Sequence, residues 1–460
     1  MISLPSAMTF NTDAKKNGPM RLPTYLTVRL TIVAWLFFST LVFSELAAVE
    51  PTNTGWPQWG GPNRDHQSAA LGLRKSWPEG GLGLVWKFTN AGFAYSSVAV
   101  AEGRVYSLGT QDSKNFVFCL NANSGQEIWR TELGPAYTND HYNQGWGGGP
   151  RSTPTIAGQR LVALDDGGNC CCLDASTGKM HWQTNMISDL GGTFPNWGYS
   201  ESPLVDGNRV VVCPGKVVDD PNKSEFLVAL DLETGKKVLA SSGYSDGAHY
   251  VSAVKHTVDG VEMYITASQS GLVGFSASTG ETLWKNGSSG NRTATIPTPI
   301  AWDRYVYHTS GYGAGCVLVE LNGRDGKIAA TEVYANQEMQ SQHGGVVLVD
   351  GNIFGYKKGG GFVCQDVKTG QPKWSHRITG DSSTSVIYAD QRLYAYGESS
   401  GTCYLIDASS AGWSERGKVT LPEQSKLPRL SGRIWAHPTI AEGKLFLRDL
   451  DLIYAYDIRE

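Results

Sequence analysis

Cysteine is the residue with the most chemistry to offer in this chain. There are eight, and three stand in a row at Cys170, Cys171 and Cys172. In a protein bound for an oxidising compartment such a run raises the question of a disulfide. No C-x-x-C-H occurs, which removes a covalently attached c-type haem from consideration. The nine histidines are scattered, His66, His141, His181, His249, His256, His308, His343, His376 and His437, whereas a zinc site needs ligands that converge. Arg151 and Glu201 are candidates of another kind. A guanidinium and a carboxylate can pair with each other or hold a polar ligand through planar, charge-assisted bonds.

Which of these residues can meet depends on the elements that carry them, and the chain is periodic. A unit such as TPTIAGQRLVALDDGGNCCCLDASTGKMHW at 153–182 recurs at 202–239, 268–284, 359–374 and 399–413, with weaker copies near Asn121 and Asn322. The last unit, 437–458, stops before its final strand. With the aspartate-like position as a ruler, Asn121, Asp174, Asp231, Ser276, Asn322, Asp366, Asp407 and Asp457 are 53, 57, 45, 46, 44, 41 and 50 residues apart. Each unit has short apolar runs separated by turn residues, which predicts a four-stranded antiparallel sheet. Eight such sheets arranged radially predict an all-β, eight-bladed β-propeller. In D-x-x-T-G the carboxylate accepts backbone N–H bonds as an Asx turn does, and the glycine supplies positive φ. The tryptophan closing most units is expected to wedge between neighbouring blades. An orphan strand at 84–88 (LVWKF) carries Trp86 where the truncated last unit lacks its strand, so it is expected to complete the eighth blade and leave no open edge.

Composition agrees with a large β protein. The chain has 460 residues with 55 glycines, 14 tryptophans and 20 tyrosines, and a net charge of −4. Low charge excludes a disordered chain, and the lack of basic excess argues against nucleic acid as a partner. Residues 30–43 (LTIVAWLFFSTLVF) form an apolar run behind Arg21 and Arg29, with Ala47 and Ala48 after it. The run is too short to span a bilayer and reads as an export signal, residues 1–48, cleaved near Ala48, with an uncleaved anchor as the alternative. The polar stretch before Met20 adds nothing to such a signal, so translation is expected to start there. Residues 49–83 form a Trp-, Gly- and Pro-rich strap expected to cross one face, and 84–460 form the propeller. No other segment is long and apolar enough to cross a membrane.

These D-x-x-T-G and Trp-ending units resemble the PQQ-like repeat family of eight-bladed propellers, over residues 56–460. The segment WPQWGGPNRD and the phrases GGGPRSTPT, ESPLVDG and WAHPTIAEGKLFLRD look most like secreted members of planctomycete type. The family implies two kinds of activity. One branch comprises quinoprotein alcohol dehydrogenases that hold pyrroloquinoline quinone and calcium in the central funnel. The other comprises non-enzymatic scaffolds similar to the outer-membrane assembly factor BamB. In the dehydrogenases an adjacent-cysteine disulfide lies in a loop over the quinone, whereas here the run falls inside a predicted strand. Cys172 occupies a slot two residues before Asp174 that takes a small residue in six of eight units, so buried thiols are expected. No cysteine follows the apolar run, which departs from the lipoprotein pattern of BamB.

Counting back to the start of each unit puts Tyr95, Arg151, Glu201, Tyr250, His343, Trp435 and His437 around the central channel. The loop at 142–150 (YNQGWGGGP) is expected to cap one end. A quinone site would need Glu, Asn and Asp together, and Glu201 alone can be placed. The sequence therefore favours an exported, non-catalytic scaffold, periplasmic or extracellular and monomeric, that binds envelope or secreted proteins. A quinone- and calcium-dependent dehydrogenase, or binding of a small ligand or polysaccharide in the channel, are the alternatives. N-terminal sequencing is expected to find the mature chain starting near Val49; a start at Met20 or earlier in the exported protein would show a retained anchor.

Overall fold

The computed structural model describes residues 54–137 and 142–460; the export signal, Met20 and the start of the strap at 49–53 lie outside them. Eight four-stranded antiparallel sheets follow one another along the chain. Blade 1 comprises Ala99–Ala101, Arg104–Gln111, Lys114–Asn121 and Glu127–Pro135, and blade 2 comprises Thr155–Ala157, Arg160–Leu164, Asn169–Asp174 and Met180–Asn185. The same order repeats to blade 7, whose strands are Thr384–Ala389, Arg392–Gly397, Thr402–Asp407 and Glu415–Thr420. Blade 8 takes Thr439–Ala441, Lys444–Asp449 and Leu452–Asp457 from the C-terminus and Leu84–Phe88 from the N-terminus. The ring is thus closed as the sequence predicts, and no blade is left with a missing strand.

The recurring residues explain the blade geometry. In every blade the pairing of the third and fourth strands slips by one residue. The bulge sets Trp129, Trp182, Trp284, Trp374 and Trp86 opposite Cys119, Cys172, Gly274, Cys364 and Ala455. A large ring can lie across its own strand pair only where the facing residue is small, which accounts for the small-residue slot. Cys170 and Cys172 enter one interblade cluster and Cys171 the opposite one, and all eight cysteines are buried free thiols. Asp174 accepts from the amides of Ser176 and Thr177, the expected Asx turn. Blade 5 departs from the pattern. Its third and fourth strands, Gly315–Arg324 and Lys327–Asn336, run past Asn322, which accepts from Arg304 instead of closing a turn.

Neighbouring blades are joined by these aromatic rings. The indole N–H of Trp129 donates to Ala175 O at 3.2 Å, Trp182 to Leu232 O at 2.8 Å and Trp374 to Ser409 O at 3.0 Å. Tyr334 replaces the tryptophan in blade 5 and donates to Val367 O at 2.9 Å. Trp86, carried by the N-terminal strand, donates to Ala122 O of blade 1 at 2.9 Å and so makes the closing contact. Gly125 has φ +68, and a Cβ there would lie 2.6 Å from the Trp86 ring. Arg448 of blade 8 reinforces this seam by donating to Ser96 O, Leu108 O, Ala91 O and the Ser107 hydroxyl.

The strap first runs through the axis of the ring and then passes outward over blades 7 and 8, where Leu73 N donates to Asp390, Arg74 N to Ile458 O and Trp77 N to Arg416 O. Trp56 pairs with Val100 of blade 1, and Ile156 of blade 2 donates to Pro57 O. Arg64 donates to Ser202 O and Pro203 O at blade 3, and Trp59 to Thr298 before blade 5. Gln67 reaches Leu348 O of blade 6, Gln67–Ser68 pairs in parallel with Tyr388 and Ala389 of blade 7, and Ser68 faces Ile440 O of blade 8. The innermost strands expose unpaired backbone groups to the axis, and burying them requires partners; the strap provides several.

Trp86→Ala should cost about 3–5 kcal/mol, the range for deleting a buried aromatic, read as a lower urea midpoint. Trp413→Ala, at a half-buried ring stacked on His376, should cost clearly less. Equal effects would mean that Trp86 has no special part in closing the ring.

Candidate functional site

In each blade the first strand runs away from one end of the ring, so loops before first strands and hairpins between second and third strands share that end. There they surround a funnel of about 430 Å³, within the roughly 300–1,000 Å³ span of small-molecule sites. Tyr95, Arg151, Tyr250, His343, Trp435 and His437 all line it. Trp59 of the strap forms its floor with His437, their rings 4.5 Å apart. Tyr95 lies 4.9 Å from Trp435, and Trp435 stacks on His343 at 4.4 Å, 13° from parallel. Trp197 and Tyr250 make another wall, 5.7 Å apart and tilted by 58°.

Arg151 is held by the loop in front of it. Its guanidinium donates to Gly147 O, Gly149 O, Trp197 O and the Tyr142 hydroxyl, and Tyr142 in turn donates to Asp166 at 2.8 Å. The Tyr142 hydroxyl and nearby Asp166 more than offset desolvation, so the Arg151 pKa lies above its ordinary value. The 142–150 loop does reach the mouth, where Trp146 lines the funnel. The Tyr95 hydroxyl is nested between Gly147 and Gly432, where a Cβ would come within 2.2 Å and 2.1 Å of it. Those glycines let two loops close over one ring.

Glu201 is the exception among the sequence candidates. It does not line the funnel, and it makes no pair with Arg151. Its Oε1 accepts from Cys213 N, its Oε2 has no protein partner, and the residue is 1 % exposed. Burial raises its pKa to about 7, against the opposing effects of the Cys213 bonds and the Arg64 charge. The residue lies at the start of blade 3, where the side chain turns back onto Cys213 just past its own second strand, while Arg151 is engaged by three carbonyl oxygens and the Tyr142 hydroxyl.

Several funnel residues escaped the sequence reading. Tyr312, Lys358 and Glu398 sit on hairpins between second and third strands, and Trp197 and Arg433 on loops between blades. The glycine-rich turn within each unit was the available signal, since antiparallel pairing brings that turn to the same end as the first-strand starts. Glu398 accepts from Ser382 at 2.5 Å and from the Trp435 indole at 3.2 Å, with Lys358 at 3.6 Å. His343 and His437 have pKa values lowered to about 4, chiefly by desolvation, although Glu398 acts in the other direction at His343. Both rings are therefore neutral at pH 7. Their Nδ1 atoms and the Trp197 Nε1 have no protein partner.

The quinone–calcium pair implied by the sequence resemblance can be tested against these residues. Calcium takes six to eight oxygen ligands, several of them carboxylates. Among the described residues Glu398 is the one carboxylate that lines the funnel, and it is already engaged by Lys358, Ser382 and Trp435. Among the described residues no three His, Cys, Asp or Glu side chains converge as ligands. A flat quinone needs two parallel faces with a gap between them, whereas the near-parallel His343–Trp435 pair is closed on itself. The consecutive cysteines lie in blade 2, away from the funnel lining. The residues do not fit the pair.

The family model described as outer membrane protein assembly factor BamB matches residues 113–376 and 262–413. Among solved structures, BamB from Moraxella catarrhalis superposes with a TM-score of 0.55 at 14 % identity, over 82 % of this chain and 99 % of that one. The quinohemoprotein alcohol dehydrogenase from Comamonas testosteroni gives 0.56 at 13 % identity, over 90 % and 81 %. The computationally designed Ika8 protein gives 0.51 at 12 % identity, over 82 % and 98 %. At these identities the likeness is one of fold. No curated protein sequence matches the chain. Among the described residues no helix is long and apolar enough to cross a membrane.

The titrating groups set opposite pH slopes. For Glu201 the folded pKa, about 7, exceeds the unfolded value, so its stabilising contribution is complete below about pH 4.5 and is lost as pH rises through 7. For His343 and His437, with folded values of about 4, stability is complete above about pH 6.5 and is lost as pH falls through 4. Glu201→Gln should therefore raise the urea midpoint at pH 8 and leave it nearly unchanged at pH 4.5. A drop at pH 8 would show that the ionised carboxylate stabilises the fold.

Proposed function

Since the chain belongs to the BamB-like family of PQQ-repeat propellers, we propose that it is an exported, non-catalytic binding protein whose working site is the axial funnel. The carrying observation is a floored cavity walled by aromatic rings whose described residues include three cations, Arg151, Lys358 and Arg433, and one carboxylate, Glu398. Arg151 is compensated by the acceptors around it, but Arg433 is exposed and Lys358 half-exposed, so the mouth carries positive charge open to a ligand. A ligand that supplies negative charge and an apolar face complements both the cations and the rings. The sequence favoured a protein scaffold, as the BamB name suggests for that relative; the funnel moves the emphasis from partner-binding loops to a ligand held among them. Closed blades fix those loops rigidly, and a preformed site loses little on binding. The dehydrogenase alternative lacks support from the donor set, because Glu398 is engaged and no second carboxylate accompanies it among the described residues.

A thermal melt of the mature chain with pyrroloquinoline quinone and calcium is expected to show no shift, with no dye reduction by alcohols. A panel of small carboxylates and oligosaccharides should raise the melting temperature, and Trp435→Ala should abolish the rise. A shift with quinone and calcium, about 2.7 kcal/mol at a hundredfold excess over Kd, would overturn this reading in favour of the dehydrogenase.

A further inference from the structure

Two features of the funnel narrow the ligand class, on the premise that the funnel is a binding site. The first is the arrangement of its rings. His343 and Trp435 are nearly parallel but in contact, whereas Tyr95 is tilted by 42° to Trp435, Trp59 by 59° to His437 and Trp197 by 58° to Tyr250. The rings form a cup, not a slot. A flat aromatic molecule is best held between two parallel faces, but a puckered ring presents C–H groups in several directions and can rest on tilted ones. Between the rings lie hydroxyl and amide groups, Ser200, Ser252, Thr293 and Gln342. Apolar faces alternating with small hydrogen-bonding groups match a pyranose, which has C–H faces and a rim of hydroxyls.

The second feature is charge. Among the described residues neither Arg151 nor Arg433 has a carboxylate within 4 Å, and Lys358 meets Glu398 only at 3.6 Å. Arg433 donates through Nη1 to Ser431 O and Gly432 O, leaving Nη2 and Nε for another acceptor. An exposed guanidinium at the mouth of an aromatic cup is placed to take a carboxylate through a charge-assisted fork. The mouth is itself apolar and open. Trp146, Tyr312 and Leu430 are 47 %, 45 % and 70 % exposed, and Leu430 holds a left-handed φ of +48 beside Arg429 and Ser431. Exposed aromatic rings above a filled cup would cover further units of a chain that leaves the funnel.

We infer that the funnel binds the end of a carboxylate-bearing oligosaccharide, with one sugar ring in the cup, its acid group on Arg433 and the next unit against Trp146. Neutral sugars lose the ion pair. Flat aromatic acids keep the ion pair but fit the tilted rings poorly.

The test is titration calorimetry of the full mature chain with trigalacturonate, galactotriose and 2-naphthoate. Trigalacturonate is expected to bind about tenfold or more tightly than galactotriose, the gain of one charge-assisted bond, and the difference should shrink with added salt. Arg433→Gln, a change at an exposed side chain, should remove the preference while leaving the melting temperature unchanged, and Trp146→Ala should weaken trigalacturonate more than galacturonate monomer. Equal binding of the two trisaccharides, or an unaltered preference in Arg433→Gln, would overturn the assignment of the acid group. Binding of 2-naphthoate alone would overturn the saccharide class and keep the funnel as a ligand site. Failure of all three probes to bind would overturn both.

Discussion

The structure depends on an aromatic ring laid on the turn of the next blade, a contact made by Trp129, Trp182, Trp374, Trp86 and, through its hydroxyl, Tyr334, whereas Trp284 donates to Met263 Sδ of its own blade. A tryptophan on an outermost strand donates its N–H to a backbone carbonyl just after the next blade's Asx residue, while the glycine of that turn leaves room for the ring. The contact buries a large apolar face and satisfies the only polar atom of the side chain. It also sets the angular step between blades, because the indole has a fixed size and its partner carbonyl a fixed place. A ring tolerates little cumulative error, so the last contact matters most. Here that contact belongs to Trp86, which the N-terminal strand brings to blade 1. Arg448 supports the same seam by binding carbonyls across it. Burial lowers its pKa to about 9, and the cation is retained because it serves acceptors that would otherwise be buried alone.

Closure creates a second constraint, an axis lined by strand beginnings. Hydroxyls tie some of these together: Thr153 N donates to Ser202, Ser202 N to Ser252 and His437 N to Ser97, each across a blade boundary. The strap fills the space below the funnel, and its turn is tight enough that Arg64 and His66 both adopt positive φ. Such backbone strain persists where the surroundings over-determine it. Trp59 then serves the plug and the funnel floor together. The strap is consequently part of the site, and the functional end of the ring depends on the segment that lacks any counterpart in the repeat.

Much of this was legible because the repeat's chemistry is local. The Asx turn at Asp174, the alternation that separates Cys171 from Cys170 and Cys172, and the small-residue slot at Cys172 all lie within one unit. Those features imply the strand count, and the truncated last unit together with the orphan strand at 84–88 implies closure. Blade 5 shows the limit of the ruler. Asn322 sits at the expected spacing but inside a lengthened hairpin, because a position can keep its interval after its turn has been lost.

The funnel shows what local pattern does not determine. Tyr95, Arg151, Tyr250, His343, Trp435 and His437 were placed near the axis by counting, and they line the cavity. Glu201 was placed by the same count and points elsewhere, while Glu398, on a hairpin the count ignored, enters the funnel. The two glutamates differ in what surrounds them, not in their own segments: Glu201 meets the free amide of Cys213, and Glu398 meets Lys358, Ser382 and Trp435 from other parts of the chain. By itself the sequence determined the blade, its turns, its interblade wedges and the closing strand, since each depends on residues a few positions apart or on one recurring contact. The tertiary structure alone decided the path of the strap, the turning away of Glu201 and the entry of the hairpin residues Tyr312, Lys358 and Glu398 into the funnel. Those depend on loops, hairpins and one plug competing for the same axial space, where the available hydrogen-bond partners come from all around the ring.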